Sequence, residues 1–225
     1  MRAPAPRRQG ATAPPDKMTA RYFRRFGFEA PTIIDVGVLT GTPFLYDAFP
    51  DRRFVLIDPL EECAASVARR WPGLDREVHV TALGAEAGTL ELHLDRVRPA
   101  RTSAHARNDE AVAPARRVVP VRRLDDITAP LDGPFGLKID TEGHEIEVLR
   151  GATATLARCE WVLAELSIKR RFEGGYRFSE AIAFMAAQGF EVYSFLSGLT
   201  RSPRMADILF IPRGSPRFDM VPREA

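Results

Sequence analysis

Five short, uninterrupted apolar runs constrain this chain more than any other feature: TIIDVG from residue 32, RFVLID from 53, VHVTALG from 78, FGLKID from 135 and WVLAELS from 161. Strands buried on both faces of a parallel sheet read as continuous apolar runs, whereas half-exposed strands alternate. Helical patterns fall between and beside them. MTARYFRRFGF (18–28) sets Tyr22, Phe23 and Phe26 on one face and suits packing on the domain edge or over a ligand mouth, core packing first. Helices are also predicted over 42–49, 61–70, EIEVLRGATATLARC (145–159) and FSEAIAFMAAQG, the last stopping at Gly189. TLELHL alternates strictly and predicts a half-exposed strand. RRVVPVRRLDDI is a second extended piece, after a polar loop over 95–115 that is expected to be the most mobile segment. EVYSF and ADILFIP close the sheet as a hairpin. The fold class is therefore α/β, a mostly parallel sheet with an antiparallel finish.

At roughly 150 residues per domain, 225 residues make one generous domain or a domain with an appended tail. Residues 1–17 are Pro, Ala and Arg without periodicity, the composition of a flexible tail. With 45% hydrophobic and 28% charged residues, disordered and fibrous classes are excluded. A formal charge of +2 disfavours a protein built to grip nucleic acid. Arg96, Arg98, Arg101, Arg107, Arg116, Arg117, Arg122 and Arg123 nonetheless make 96–123 locally basic, as a solvated loop or as a surface for a phosphorylated acceptor. Two cysteines, Cys63 and Cys159, are too few for a disulfide framework, no apolar run is long enough to span a membrane, and MRAPAPRRQGATAPPDK lacks an apolar export core. A cytoplasmic protein is expected.

The first chemical constellation is the turn Asp35-Val-Gly37-Val-Leu-Thr-Gly41-Thr42-Pro43, between the first buried strand and a helix opening with a Thr cap and Pro at its first position. In open α/β sheets ligands bind beyond the carboxyl ends of the strands, and small residues there let a ligand approach the backbone. A dinucleotide calls for G-x-G-x-x-G. This turn is D-x-G-x-x-x-G, with an acid where a diphosphate is repelled and an ammonium is welcome. Asp58, at the tip of RFVLID, can accept two hydrogen bonds from a ribose diol. Together these acids and glycines describe S-adenosylmethionine better than a dinucleotide, against the competing reading that both acids are solvated strand-end caps. Pro59 and Ala82 are candidate adenine neighbours or plain packing.

With IIDVG and GTPFLYDAFP, IDPLEE, VTALGAEAGTLELH, VPVRRLDDI, LKIDTEGHEIEVLRGA and VLAELS, the chain over roughly 32–212 resembles the FkbM family of S-adenosylmethionine-dependent O-methyltransferases. LKIDTEGHEIEVLRGA is the most specific stretch. The resemblance implies a Rossmann-like class I methyltransferase fold, a seven-stranded, mostly parallel sheet with an antiparallel last strand and helices on both faces. It also implies one such domain over 18–213 with a tail over 214–225, and methyl transfer to a hydroxyl of a small-molecule, sugar or polyketide-like acceptor. A homo-oligomer is compatible with it. Many family members carry Asn two residues before the second glycine of the turn, where this chain has Leu39.

Asp140, Glu142, His144 and Glu145 follow FGLKI and emerge at the same sheet edge. Methylating an alcohol requires the oxygen to be held in line with the leaving sulfur and its proton to be removed during attack. Asp140, at the strand end, is the first candidate for orienting or deprotonating the acceptor, and neutral His144 the second. Glu142 precedes Gly143 in a turn that can aim it inward, while Glu145 and Glu147 suit a helix N-terminus. Lys138 lies in an apolar strand and needs a partner. Glu165 on the neighbouring strand is the expected carboxylate, as a structural ion pair or as part of a Lys138–Asp140–Glu165 set orienting the hydroxyl. His79, His93 and His105 read as scattered surface or strand residues. Two readings of other classes stand beside the methyltransferase: a non-catalytic adenosine-binding domain, and a metal-dependent hydrolase using Asp140, Glu142 and His144. No resident metal is expected.

Overall fold

The computed structural model describes residues 18–95, 102–108, 115–197 and 202–219. Its main sheet has seven strands, here β1 (Thr32–Val36), β2 (Arg53–Asp58), β3 (Arg76–Val80), β7 (Phe135–Ile139), β8 (Cys159–Ser167), β9 (Phe190–Phe195) and β10 (Met205–Pro212), in the order β3-β2-β1-β7-β8-β10-β9. Strands β3, β2, β1, β7 and β8 pair in parallel, and β10 runs antiparallel to both β8 and β9. This is the Rossmann-like arrangement implied by the resemblance, with the expected closing hairpin.

Period-2 alternation assigns the two faces. Ile34, Val36, Val55, Ile57, Leu137 and Ile139 pack with α4 (Leu124–Thr128), α5 (Glu145–Arg150), α6 (Thr153–Leu156) and α7 (Phe178–Ala187). Ile33, Phe54, Leu56, Trp161 and Leu163 pack with α1 (Ala20–Arg25), α2 (Pro43–Ala48) and α3 (Glu61–Arg70). Each central strand is buried throughout because both of its faces meet helices. Phe23 of α1 is fully buried between Phe49, Phe44 and Trp161, so this helix serves the core as expected. No helix among the described residues is long and apolar enough to cross a membrane. Cys63 and Cys159 are free and buried.

Three elements differ from the sequence reading. VHVTALG is not one strand: it leaves the main sheet at Thr81, whose hydroxyl donates to Pro120 O (3.0 Å), and continues as β4 (Ala82–Leu83) in a second sheet. That sheet has the order β4-β6-β5, with β5 (Gly88–Leu94) and β6 (Ala115–Arg122). RRVVPVRRLDDI is extended only through β6. LDDIT folds as α4 because Asp125 accepts from the amide and hydroxyl of Thr155, both at 2.8 Å, while Leu124 and Ile127 are buried. The long helix expected over 145–159 breaks into α5 and α6 at Gly151, where a Cβ would stand 2.0 Å from Gly84 O.

The central part of the polar loop, residues 102–108, is fastened rather than loose. Ser103 exchanges backbone hydrogen bonds with His93, Asn108 N donates to Arg171 O (3.0 Å), and Glu173 N donates to Ala106 O (2.9 Å). Residues 96–101 and 109–114 lie outside the described residues, as do 1–17 and 220–225 of the expected tails. Residues 214–219 include a 3-10 turn, Pro216–Phe218, whose Arg217 lies over the Phe28 ring at 5.1 Å.

Candidate active site

The glycine turn is shaped by its own neighbours. Gly37 has φ +75°, and a Cβ on it would stand 1.7 Å from Asp140 O; Gly41 has φ +108°, and a Cβ would stand 2.2 Å from the Trp71 ring. The absent side chains let protein pack against protein, a different reason for glycine from close approach of a ligand. Leu39 is left-handed at φ +50°, a conformation Asn tolerates better than Leu. Thr42 holds the N-cap position of α2 without a side-chain cap bond, and Pro43 follows it as expected.

Asp58 ends β2 with each carboxylate oxygen on a backbone amide, Oδ2 on Leu39 N and Oδ1 on Leu60 N, both at 2.9 Å. Burial pushes its carboxyl up despite the two amides, which pull it down. The Cys63 thiol adds a third hydrogen bond to this carboxylate, which keeps lone-pair capacity for a ligand.

Asp35 is 0% exposed and lines neither cavity described below. Parallel register sets it opposite Lys138, whose Nζ lies 3.2 Å from its Oδ1, and Tyr46 OH donates to its Oδ2 at 3.1 Å. Asp35 is therefore spent on a buried ion pair beneath the turn, where the sequence suggested an acid facing a ligand ammonium. Lys138 also donates to Gly37 O (2.7 Å) and stands 3.7 Å from Asp140 Oδ2. Burial works against its charge, but Asp35 first and Asp140 second outweigh burial, and the ammonium's pKa ends above its ordinary value. The expected Lys138–Glu165 pair is not formed, because Asp35 and Asp140 are nearer and Glu165 turns to Arg171 at 3.3 Å.

Past β7 the chain makes a tight turn with Glu142 at φ +49° and Gly143 at φ +100°. Glu142 accepts from Arg107 (3.0 Å) and Arg171 (2.5 Å), a buried clamp that holds the 102–108 segment to the turn. Glu145 begins α5 as expected, yet it is 1% exposed and does more than complement a helix dipole. Its Oε1 accepts from Thr141 N (3.0 Å), Gly143 N (2.9 Å) and Thr141 OH (3.2 Å), and its Oε2 from Tyr176 OH (2.7 Å). Tyr176 accepts in turn from Ser167 N at 3.0 Å, so one carboxylate ties the turn to the end of β8. Glu165 has its carboxyl pushed up to about 9, by burial first and then by Asp140, Asp207 and Glu142, and is protonated at neutral pH.

His144 is half-buried, with its imidazole pKa lowered to about 4 by desolvation and then by His105. Its Nδ1 stands 3.5 Å from His105 Nε2, so His105 is no scattered residue. Asp140, Glu142 and His144 do not converge as a ligand set. The carboxylates whose oxygens lie within 4.8 Å of one another are Asp140, Glu142 and Glu165, and Arg107 and Arg171 already neutralise this group.

Two cavities open over the carboxyl edge of the sheet. The larger, about 310 Å³, is walled on one side by Gly37, Asp58, Pro59, Leu60 and Ala82, and on the other by Asp140, Glu142, His144 and Glu165, with Leu90 and Leu92 of the second sheet above. The smaller, about 200 Å³, is walled by Gly41, Thr42, Phe44, Lys138 and Asp207, with Met18 before α1. Gly37, Leu39, Asp140 and Glu165 line both. The sequence reading missed Arg107, Arg171, Tyr176 and His105. Arg171 and Tyr176 could have been found as polar residues in the loop after WVLAELS, at the ligand-binding edge; Arg107 carried no signal among so many arginines. Its neighbours in the basic stretch also meet acids of this chain, Arg116 with Glu91 (2.6 Å), Arg117 with Glu62 (3.1 Å) and Arg123 with Asp125 (3.0 Å).

The strand order with one antiparallel strand, the glycine turn and the acid after β2 define a Rossmann-like class I methyltransferase. Residues 35–192 match the family described as the methyltransferase FkbM domain. The chain belongs to the FkbM methyltransferase family, and its cofactor is S-adenosylmethionine. None of the curated proteins compared with it matches. Among solved structures it is similar to magnesium protoporphyrin IX methyltransferase (ChlM) from Synechocystis PCC 6803 with bound SAM, at 11% identity and TM-score 0.46, covering 80% of this chain and 69% of that one. It is also similar to the fibrillarin pre-rRNA processing protein of Methanococcus jannaschii, at 8% identity, TM-score 0.49, and 82% and 67% coverage. For WbdD in complex with a kinase inhibitor the values are 15%, 0.49, and 88% and 39%.

Proposed function

We propose that the protein transfers the methyl group of S-adenosylmethionine to a hydroxyl of a small-molecule acceptor, with Asp140 as general base. The observation that carries this reading is the position of Asp140: it lines both cavities and is 37% exposed at their junction. The residues fit the cofactor. Asp58 offers its remaining lone pairs to a ribose, Pro59, Leu60 and Ala82 form apolar walls for an adenine, and Asp140 and Asp207 give the smaller cavity an acidic lining for an ammonium. When bound, the cofactor supplies an electrophilic methyl group.

The chain's own residues do the rest. The Asp140 carboxylate, with the Lys138 ammonium 3.7 Å from its Oδ2, receives the acceptor proton as the oxygen attacks. Protonated Glu165 donates a hydrogen bond to the acceptor and adds no second negative charge beside Asp140. The second sheet roofs the larger cavity with Leu90 and Leu92 and excludes water. A sugar or polyketide-like alcohol meets these requirements, with polar groups toward the acids and an apolar face toward the roof.

Asp140→Asn is expected to lower kcat by about 10²–10⁴-fold while calorimetry shows cofactor affinity nearly unchanged. Transfer of labelled methyl to a panel of hydroxylated acceptors is the assay. Full turnover in the variant rules out Asp140 as the base, and methyl appearing only on amines rules out the hydroxyl acceptor.

A further inference from the structure

The two edges of the main sheet are finished differently. On one side, β9 is guarded: its pairing with β10 is interrupted by a register shift at Leu209/Phe210, Arg213 crosses to Glu191 (3.1 Å), and the Phe218 ring stands against Tyr193 at 5.8 Å. On the other side, β3 carries none of these devices. Its register against β2 is unbroken from Arg76 to Val80, it contains no proline or lysine, and among the described residues no strand pairs with its outer side.

Hydrogen bonding fixes which residues of β3 look outward. Phe54 N donates to Asp75 O (2.8 Å), and in a parallel ladder alternate residues turn both backbone groups to the same neighbour. Asp75, Glu77 and His79 are therefore spent on β2, and the N–H and C=O of Arg76, Val78 and Val80 face away from the sheet. The side chains of Val78 and Val80 are 37% and 44% exposed beside them. Arg76, the only cation of the three, is folded back on its own chain, donating to Trp71 O (3.0 Å) and Leu74 O (3.1 Å), and leaves the edge clear.

We propose that β3 pairs with β3 of a second copy of this chain, antiparallel about a two-fold axis through Val78, and joins the two main sheets into one. Val78 then faces Val78 of the second copy, and Arg76 faces its Val80. This register sets every outward-facing residue opposite another, whereas a slip of one residue sets open backbone groups against spent ones. It also brings Glu77 opposite the second copy's His79. Each Glu77–His79 pair, 3.0 Å apart within one chain, thus meets its copy carboxylate to imidazole. A two-fold interface must be complementary to itself, and the sequence Arg76-Glu77-Val78-His79-Val80 is. The shared strand is short, so the dimer is reversible and depends on concentration.

The test is sedimentation velocity on tag-free, full-length protein from about 1 to 200 µM. The parent should pass from monomer to dimer across this range and form no larger species. Val78→Pro removes an N–H that bonds no strand of its own sheet. Its melting temperature should stay near the parent's while its dimer weakens by at least about 10-fold. Val78→Lys sets like charges across the axis and should weaken the dimer as much. Val118→Lys, at a still more exposed valine on β6, should dimerise like the parent. A monomer throughout the range, a dimer unchanged in both Val78 variants, or a dimer lost in Val118→Lys would overturn the proposal.

Discussion

The two halves of the sheet's carboxyl edge hold their acids by different means. At the end of β2, Asp58 rests on two backbone amides, one from the glycine turn and one two residues away. At the ends of β7 and β8, Asp140 and Glu142 are held by the charges of Lys138, Arg107 and Arg171, the last two lying 35 and 29 residues from Glu142 along the chain, and Glu165 accepts a hydrogen bond from Arg171. An acid held by amides is fixed by local turn geometry. An acid held by distant guanidinium groups depends on the assembly of the whole fold, and removing one buried partner strands the other.

The largest expected effect breaks the junction between the halves. Gly37→Ala forces a Cβ onto Asp140 O and asks a left-handed residue to carry it; strain and overpacking together cost on the order of 4 kcal/mol. Denaturant unfolding checks this, and near-parental stability would mean that the halves do not touch as described. Next comes Arg171→Met, which leaves Glu142 with Arg107 alone and Glu165 with no guanidinium, at about 3 kcal/mol. Pairing it with Glu142→Gln should give less than the sum of the single losses, and strict additivity would remove the clamp from the charge-held half.

Asp58→Asn sharpens the contrast from the other side. It leaves one amide without its acceptor at a cost of about 1.5–3 kcal/mol, and it should weaken cofactor binding about 10–100-fold by calorimetry. Equal affinity would show that Asp58 serves only the turn. The smallest effect is a slope. Glu165 binds its proton up to about 9 when folded but releases it near 4.5 when unfolded, so its contribution to stability is complete below about pH 4.5 and is lost as pH rises through about 9. Melting temperatures of Glu165→Gln between pH 5 and 9 should therefore fall less steeply than those of the parent, and identical slopes would place its proton elsewhere.

What could be read in the sequence follows the same division. The strands, the strand-end acids and the turn glycines were legible because each is a local pattern, and FGLKID followed by TEGHEIEVL announced a polar turn at a ligand edge. Asp35 was legible as an acid at a strand end but not as Lys138's partner, since parallel register depends on which strand lies beside which. Arg107 was illegible for the same reason, and Arg171 was legible as a polar residue at the ligand edge but not as Glu142's partner. The break at Gly151 and the departure of the chain at Thr81 escaped because both follow from a second sheet whose approach to Gly84 no local periodicity records.

The contact of Gly37 with Asp140 O has a further consequence. A hydrogen atom, where other residues carry a methyl, sets the separation of the strand that presents the glycine turn from the strand that presents Asp140. That distance cannot drift by small steps, because the smallest change available to the side chain is a collision. Of the larger cavity's walls, those this contact does not fix are the roof: Leu90 and Leu92 of β5, and Thr102 and Ala104 of the segment latched by Arg107, can change in shape and polarity while the gap beneath them stays constant.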